Sequence, residues 1–214
     1  RNPQQFILDY YRFPPDTIAS WRWINADLEH EPKLVSASTI TSLYLNTYTS
    51  TRPFLPTAFI STLSMKEMET KYLEAHNIFG LTSSQLENRM TGKIATACQN
   101  YDCPPDMGSN LNDSLWHLYG NFLLSTYGTI DQFMGKEETD SKKSRQQIID
   151  MLLKRYAELK ISPEKIDADY IYNGFLEKQI APSANFRANN NLELIYLNSV
   201  VEIYKIKKTN LELL

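Results

Sequence analysis

Leu192-Glu-Leu-Ile-Tyr-Leu-Asn-Ser-Val-Val-Glu-Ile-Tyr-Lys-Ile-Lys-Lys208 is the stretch on which the fold class turns. Leu194, Leu197, Val201 and Tyr204 recur at helical spacing. Val200, Glu202 and Tyr204 alternate instead, and the β-branched side chains suit a strand. A strand needs a partner, and no other segment of the chain announces one. The stretch therefore reads as helix, with a minor strand near the C-terminus as the alternative. On that choice the chain is all-α, an irregular multi-helix domain of about eight helices.

The neighbouring segments point the same way. Ser162-Pro163-Glu164 has an N-cap serine and a proline at the first helical position, which predicts a helix to Gln179. Residues 145–160 carry Ile148, Ile149, Leu152, Tyr156 and Leu159 on one face. Residues 113–134 show the broadest apolar stripe, from Leu115 through Phe122 to Phe133. Residues 3–12 read as a short helix ended by Pro14-Pro15. Asp16 is the expected cap of a helix reaching His30. Ser36 or Ser38 caps the next, with Ile40, Leu43, Tyr44 and Tyr48 on one face. Residues 57–76 are again helical in pattern, and Thr82 or Ser83 opens a helix toward Gln99 with a capping-box signature. Pro182–Asn191 and residues 100–110 are loops. Lys136–Ser144 is charged and polar, so it is the expected linker or exposed loop and a possible weak boundary in one domain spanning residues 1–214.

Composition supports this picture. The 214 residues include only 7 glycines, about half the ~7% usual share. Hairpin-rich folds need glycine for positive-φ turns. The net charge is −3 and the sequence pI about 5.7, which speaks against a nucleic-acid binder. No run of apolar residues is long enough to span a bilayer. The chain begins at Arg1 rather than Met, as a trimmed or processed chain would. Cys98 and Cys103 read as reduced thiols of a cytoplasmic protein, because chains that depend on disulfides carry more cysteines.

The chemistry-bearing residues fail on spacing. Asp113, Ser114 and His117 share one helix, whereas triads draw their members from separate segments. His76, Cys98, Cys103 and His117 are zinc-ligand types without the close pairing of a zinc motif. Cys98 would sit at a helix C-terminus, where the dipole opposes a thiolate. Neither phosphate-loop pattern occurs. Glu67, Glu69 and Glu74, with Glu137, Glu138 and Asp140, read as solvated acidic faces. Lys205, Lys207 and Lys208 read as a solvated helix end. Asn112-Asp113-Ser114 is a sequon without context. No catalytic, metal or cofactor residue is assigned.

Aromatics are the unusual feature: 13 Tyr, 9 Phe and 3 Trp. Tyr10, Tyr11, Phe13, Trp21 and Trp23 crowd the N-terminus, and such residues are enriched at interface centres. On a helix Trp21 and Trp23 point in different directions. These five are the candidate partner-binding residues. The expected function is a non-enzymatic adaptor or chaperone-like subunit of a larger assembly, binding a helix or peptide of a protein partner, without nucleic acid or membrane insertion. Small acidic helical adaptors of bacterial secretion systems have this character. A secreted effector, an enzyme with a dispersed site, or a domain with a Tyr- and Phe-lined ligand pocket are the alternatives.

Overall fold

The structure, a computed structural model, describes residues 13–28, 31–55, 63–91 and 140–208. The helices expected over 3–12 and 113–134, the loop 100–110, Tyr10, Tyr11, His30, both cysteines, the Asp113–Ser114–His117 set and Glu137–Glu138 lie outside these residues.

The 192–208 stretch is a β-hairpin rather than a helix. Its strands, Leu192–Leu197 and Glu202–Ile206, pair antiparallel, with Leu194 opposite Tyr204 and Leu197 opposite Glu202. Asn198 makes the reversal. Its N–H donates to Val201 O at 3.0 Å, and its Oδ1 accepts from the N–H groups of Val200 and Val201 at 3.0 and 2.7 Å. An asparagine can thus close a turn without glycine.

The partner strand lies inside 162–179, which is not one helix. Ser162-Pro163 opens only a 3₁₀ turn, Pro163–Lys165. The chain then extends as Tyr170–Asn173 and winds again over Phe175–Ile180. All four strand residues are buried. A strand covered on both faces shows no polar alternation, which is why it escapes a periodicity reading.

In chain order the described elements are α1 (Pro15–Asp27), β1 (Lys33–Val35), α2 (Thr39–Tyr48), β2 (Arg52–Pro53), α3 (Met65–Ile78), α4 (Ser83–Met90), α5 (Asp140–Glu158), β3 (Tyr170–Asn173), α6 (Phe175–Ile180), β4 (Leu192–Leu197) and β5 (Glu202–Ile206). The strands form one mixed sheet in the order β2-β1-β3-β5-β4. β1 runs parallel to β2 and β3, and β5 runs antiparallel to β3 and β4. The all-α expectation is therefore corrected to α/β. Lys33 and Asp169 lock β1 to β3: the Lys33 N–H donates to Asp169 Oδ2 at 2.8 Å, and the Asp169 N–H donates to Lys33 O at 2.8 Å. The Lys33 ammonium also pairs with Asp167.

Side chains alternate across the sheet and divide the core into two layers. Leu34, Tyr170, Tyr172 and Ile203 pack against Trp21 and Ile24 of α1 and Leu45 of α2. Val35, Ile171, Tyr204 and Ile206 belong to the opposite layer, with Tyr72 of α3, Leu86 and Met90 of α4, and Ile149 and Leu152 of α5.

Helix starts follow local chemistry. Ser38 caps α2, and Thr82 with Gln85 forms the expected capping box of α4. Ser64 and Glu67 form a second capping box, so α3 begins at Met65 rather than near Thr57. Pro15 is the first residue of α1, and Asp16 lies in its first turn rather than at its cap. α5 starts at Asp140, so part of the expected linker 136–144 is helical. No helix of the described residues is long and apolar enough to cross a membrane.

Ile203 is fully buried in the α1–α2 layer. Ile203→Ala is expected to lower unfolding stability by about 2–5 kcal/mol in urea titrations. A loss below ~1 kcal/mol would show that this face is not packed against helices.

Candidate functional site

The N-terminal aromatics meet on one side of the sheet. α1 is held there by five hydrogen bonds. Ser20 Oγ lies 3.2 Å from Tyr172 OH of β3. Asn198 Nδ2 donates to Asp16 O at 2.8 Å, beside a hydrogen bond between Ser199 and the Asp16 carboxylate. Asn25 clamps the end of α2, donating to Tyr48 O at 3.1 Å and accepting from the Ser50 N–H at 2.8 Å.

This placement assembles a ring cluster. Phe13 meets Trp21 and Tyr44 edge-on, with ring centres 4.7 and 4.6 Å apart. Tyr48 stacks on Trp21 at 5.2 Å with the planes 5° apart. Edge-on and stacked pairs of this kind add to the burial of the rings themselves. Of the candidate partner-binding residues, Phe13 and Trp21 come together here. Trp23 turns away and packs on Tyr196 of β4 at 4.9 Å. Tyr44, Tyr48, Tyr172 and Phe175 complete the cluster, but each comes from a segment that the sequence alone does not connect with α1.

A cavity of about 60 Å³ lies within this cluster. Phe13, Trp21, Tyr44, Tyr172 and Phe175 are the aromatic residues of its lining, and Thr17, Thr41 and Glu177 are the polar ones. Phe175 is 49% exposed, so the cavity reaches the surface, whereas Glu177 has no exposure at all. Glu177 Oε2 accepts from the Gly174 N–H at 3.2 Å. A Cβ on Gly174 would stand 2.5 Å from the Tyr172 ring, so only glycine lets the backbone come this close. Oε1 has no hydrogen-bond partner among the described residues, and neither does Thr17 Oγ1. Burial pushes the Glu177 carboxyl up to about 7, and the Thr41 hydroxyl, the Gly174 amide and the Arg89 charge offset this only in part.

Behind Glu177 runs a buried polar row. Arg89, 7% exposed, donates through Nε to His76 Nε2 at 3.2 Å and through Nη2 to Ala37 O at 3.4 Å. The opposite nitrogen of His76, Nδ1, donates to Tyr72 O at 2.7 Å. Burial, then the Arg89 charge, pushes His76 down to about 3, so it is neutral. Both ring nitrogens are engaged, so His76 has no lone pair free for a metal. Among the described residues no three His, Cys, Asp or Glu side chains converge as metal ligands.

Four of the charged residues read from sequence, Glu67, Glu69, Lys207 and Lys208, make contacts within the fold. Glu67 caps α3, and Glu69 pairs with Arg155 of α5. Lys207 and Lys208 donate to the carbonyls of Asn190 and Ile166 at 3.2 and 2.5 Å, and they follow a strand rather than a helix. A larger cavity of about 270 Å³ lies where Asn77 and Gly80 meet Ser162, Ser183 and Asn185, and no charged side chain lines it. Asn77 is spent there on bracing the chain, through Leu159 O and the Ile161 N–H. The smaller cavity, with its buried carboxylate, is the stronger candidate site.

Comparisons with protein-family models, curated proteins and solved structures find no match for this chain.

The two shifted groups act on stability with opposite sign. The Glu177 carboxyl is raised from 4.5 to about 7. Its contribution is full below about 4.5 and is lost as pH rises to about 7, because the folded state holds the extra proton. His76 is lowered from 6.5 to about 3, so its contribution is lost as pH falls through that window. The two slopes oppose each other where the windows overlap. Relative to the parent chain, Glu177→Gln is expected to gain stability with rising pH between about 4.5 and 6.5, by one proton's worth per pH unit. Urea titrations of both proteins at several pH values check this, and parallel curves would refute it.

Proposed function

We propose that this protein is a non-enzymatic interaction module that takes a peptide segment of a partner protein on the aromatic surface of α1, α2 and α6. The observation carrying this reading is the exposure of Tyr48 and Phe175, 52% and 49%, beside the buried Trp21. Tyr and Trp anchors around a desolvated pocket are the usual composition of a binding hot spot. The surface is also held rigid: Trp21 is pinned between Tyr48 and the sheet, and Asn25 and Asn198 fix both ends of α1. A preformed surface loses little conformational freedom on binding.

An enzyme with a dispersed site is the second reading, and the perturbed Glu177 carboxyl is what favours it. General acid–base work on a substrate wants a second group to take the complementary role. The described cavity wall holds no histidine, cysteine, lysine or second carboxylate beside Glu177. A lone buried carboxyl among rings suits recognition better than turnover.

Peptides selected from a displayed random library against the purified chain test the reading. Tyr48→Ala and Phe175→Ala are each expected to weaken the selected peptides by roughly 30-fold, the scale of a hot-spot residue. Both side chains are half exposed, so both variants are expected to stay folded, Tyr48→Ala with a modest loss of stability from its stack on Trp21. Peptides that bind both variants as tightly as the parent would exclude this surface.

A further inference from the structure

We infer that the cavity among the aromatic rings receives the ε-ammonium end of a lysine side chain from the bound segment, with Glu177 as its counter-ion. The inference rests on the interaction-module reading and names the chemistry of the group taken. Four observations converge on it.

The first is size. A water-sized group needs ~10–15 Å³, so a cavity of about 60 Å³ holds roughly four to six such groups. That matches the aminobutyl end of lysine.

The second is the wall. Phe13, Trp21, Tyr44 and Tyr172 enclose the space. Aromatic walls suit a methylene stem along its length and attract a cation through their ring faces.

The third is the unpartnered acceptor. Glu177 is fully buried, yet its Oε1 makes no well-formed hydrogen bond among the described residues, although the Thr41 hydroxyl stands near enough to favour the charged carboxylate. A neutral apolar guest would leave that oxygen unpaired, and an anion would meet a carboxylate. Thr17 Oγ1, also without a partner among the described residues, and the Thr41 hydroxyl line the same wall. Together these oxygens can satisfy an ammonium, which has three N–H donors and no acceptor.

The fourth is the number of free carboxylate oxygens. Gly174 already occupies Oε2. A guanidinium binds best in two-pronged fashion to both oxygens, whereas an ammonium is a compact charge that needs one. The competing cation inside the protein, Arg89, donates through Nε to His76 and through Nη2 to Ala37 O. It faces Glu177 as a charge, and His76 behind it is neutral, so Arg89 is the charged group against which the guest must compete.

The test uses the whole chain and small probes, which separates it from the partner reading. Butylammonium is titrated by calorimetry against its neutral counterpart, 1-butanol. Butylammonium is expected to bind at least tenfold more tightly. At pH 6 its binding should release close to one proton per protein, seen as a dependence of the heat on buffer ionisation, because Glu177 must ionise to pair with it. At pH 8.5 the release should vanish. Glu177→Gln, checked for folding by circular dichroism, should bind the two probes equally. Equal binding of both probes to the parent chain, no binding of butylammonium, or binding without proton release at pH 6 each overturns the inference. The proton release is read on the parent chain, so the test stands even where the variant does not fold. Selected peptides that need Tyr48 but contain no required lysine would overturn the lysine assignment and leave the module reading intact. Glu177-dependent butylammonium binding, in a chain whose peptides ignore Tyr48 and Phe175, would do the reverse to the module reading.

Discussion

Burial of β3 on both faces is the constraint from which the rest of the structure follows. Tyr170 and Tyr172 enter one layer and Ile171 the other, so helices must cover the sheet on both sides. α1 and α2 supply one cover, and α3, α4 and α5 contribute to the other. Strand order sets where the covers sit. β1 and β5 flank β3, and their alternating side chains extend both apolar faces outward from it. The Lys33–Asp169 backbone and side-chain bonds hold that arrangement in register.

The candidate site is a consequence of the same constraint. Tyr172 leaves β3 toward α1, meets Ser20 and forms one wall of the small cavity. The chain turns immediately after β3, and Gly174 brings its amide to the Glu177 carboxylate, because a Cβ there would strike the Tyr172 ring. A carboxylate is thereby drawn into an aromatic enclosure where water cannot solvate it. Such a group is costly unless something pairs with it. Arg89 lowers that cost from behind, but its own hydrogen bonds serve His76 and the Ala37 carbonyl. Glu177 Oε1 is left without a well-formed hydrogen bond among the described residues.

Much of the local architecture was legible. Ser38, Thr82 with Gln85, and the apolar face of Ile149, Leu152 and Tyr156 all act as their spacing implies, because capping and helical amphipathicity are encoded within a few residues. Ser64 and Glu67 carry the same capping signal, but it lies inside the longer apolar pattern that begins at Thr57. Phe13 and Trp21 stood out by composition alone. Tyr48, Phe175 and Glu177 did not, since nothing near them in sequence marks a site. Glu177 looks like any acidic residue in the first turn of a helix, and only its enclosure by α1 and α2 makes it unusual.

What the amino-acid sequence determined by itself is the set of helix starts, the apolar helix faces and the aromatic wealth of the N-terminal segment, because these depend on neighbours three or four residues away. What the tertiary structure alone decided is the sheet and the site. Residues 170–173 and 192–206 have apolar patterns compatible with either helix or strand, and a β-strand is stabilised only by a partner elsewhere in the chain. β3 finds β1 some 136 positions away, counted from Leu34 to Tyr170 in their register. That pairing also carries Glu177 to Trp21 and Thr41. Its physical reason is long-range burial: both faces of one short strand must leave water at once, and no local spacing records that requirement.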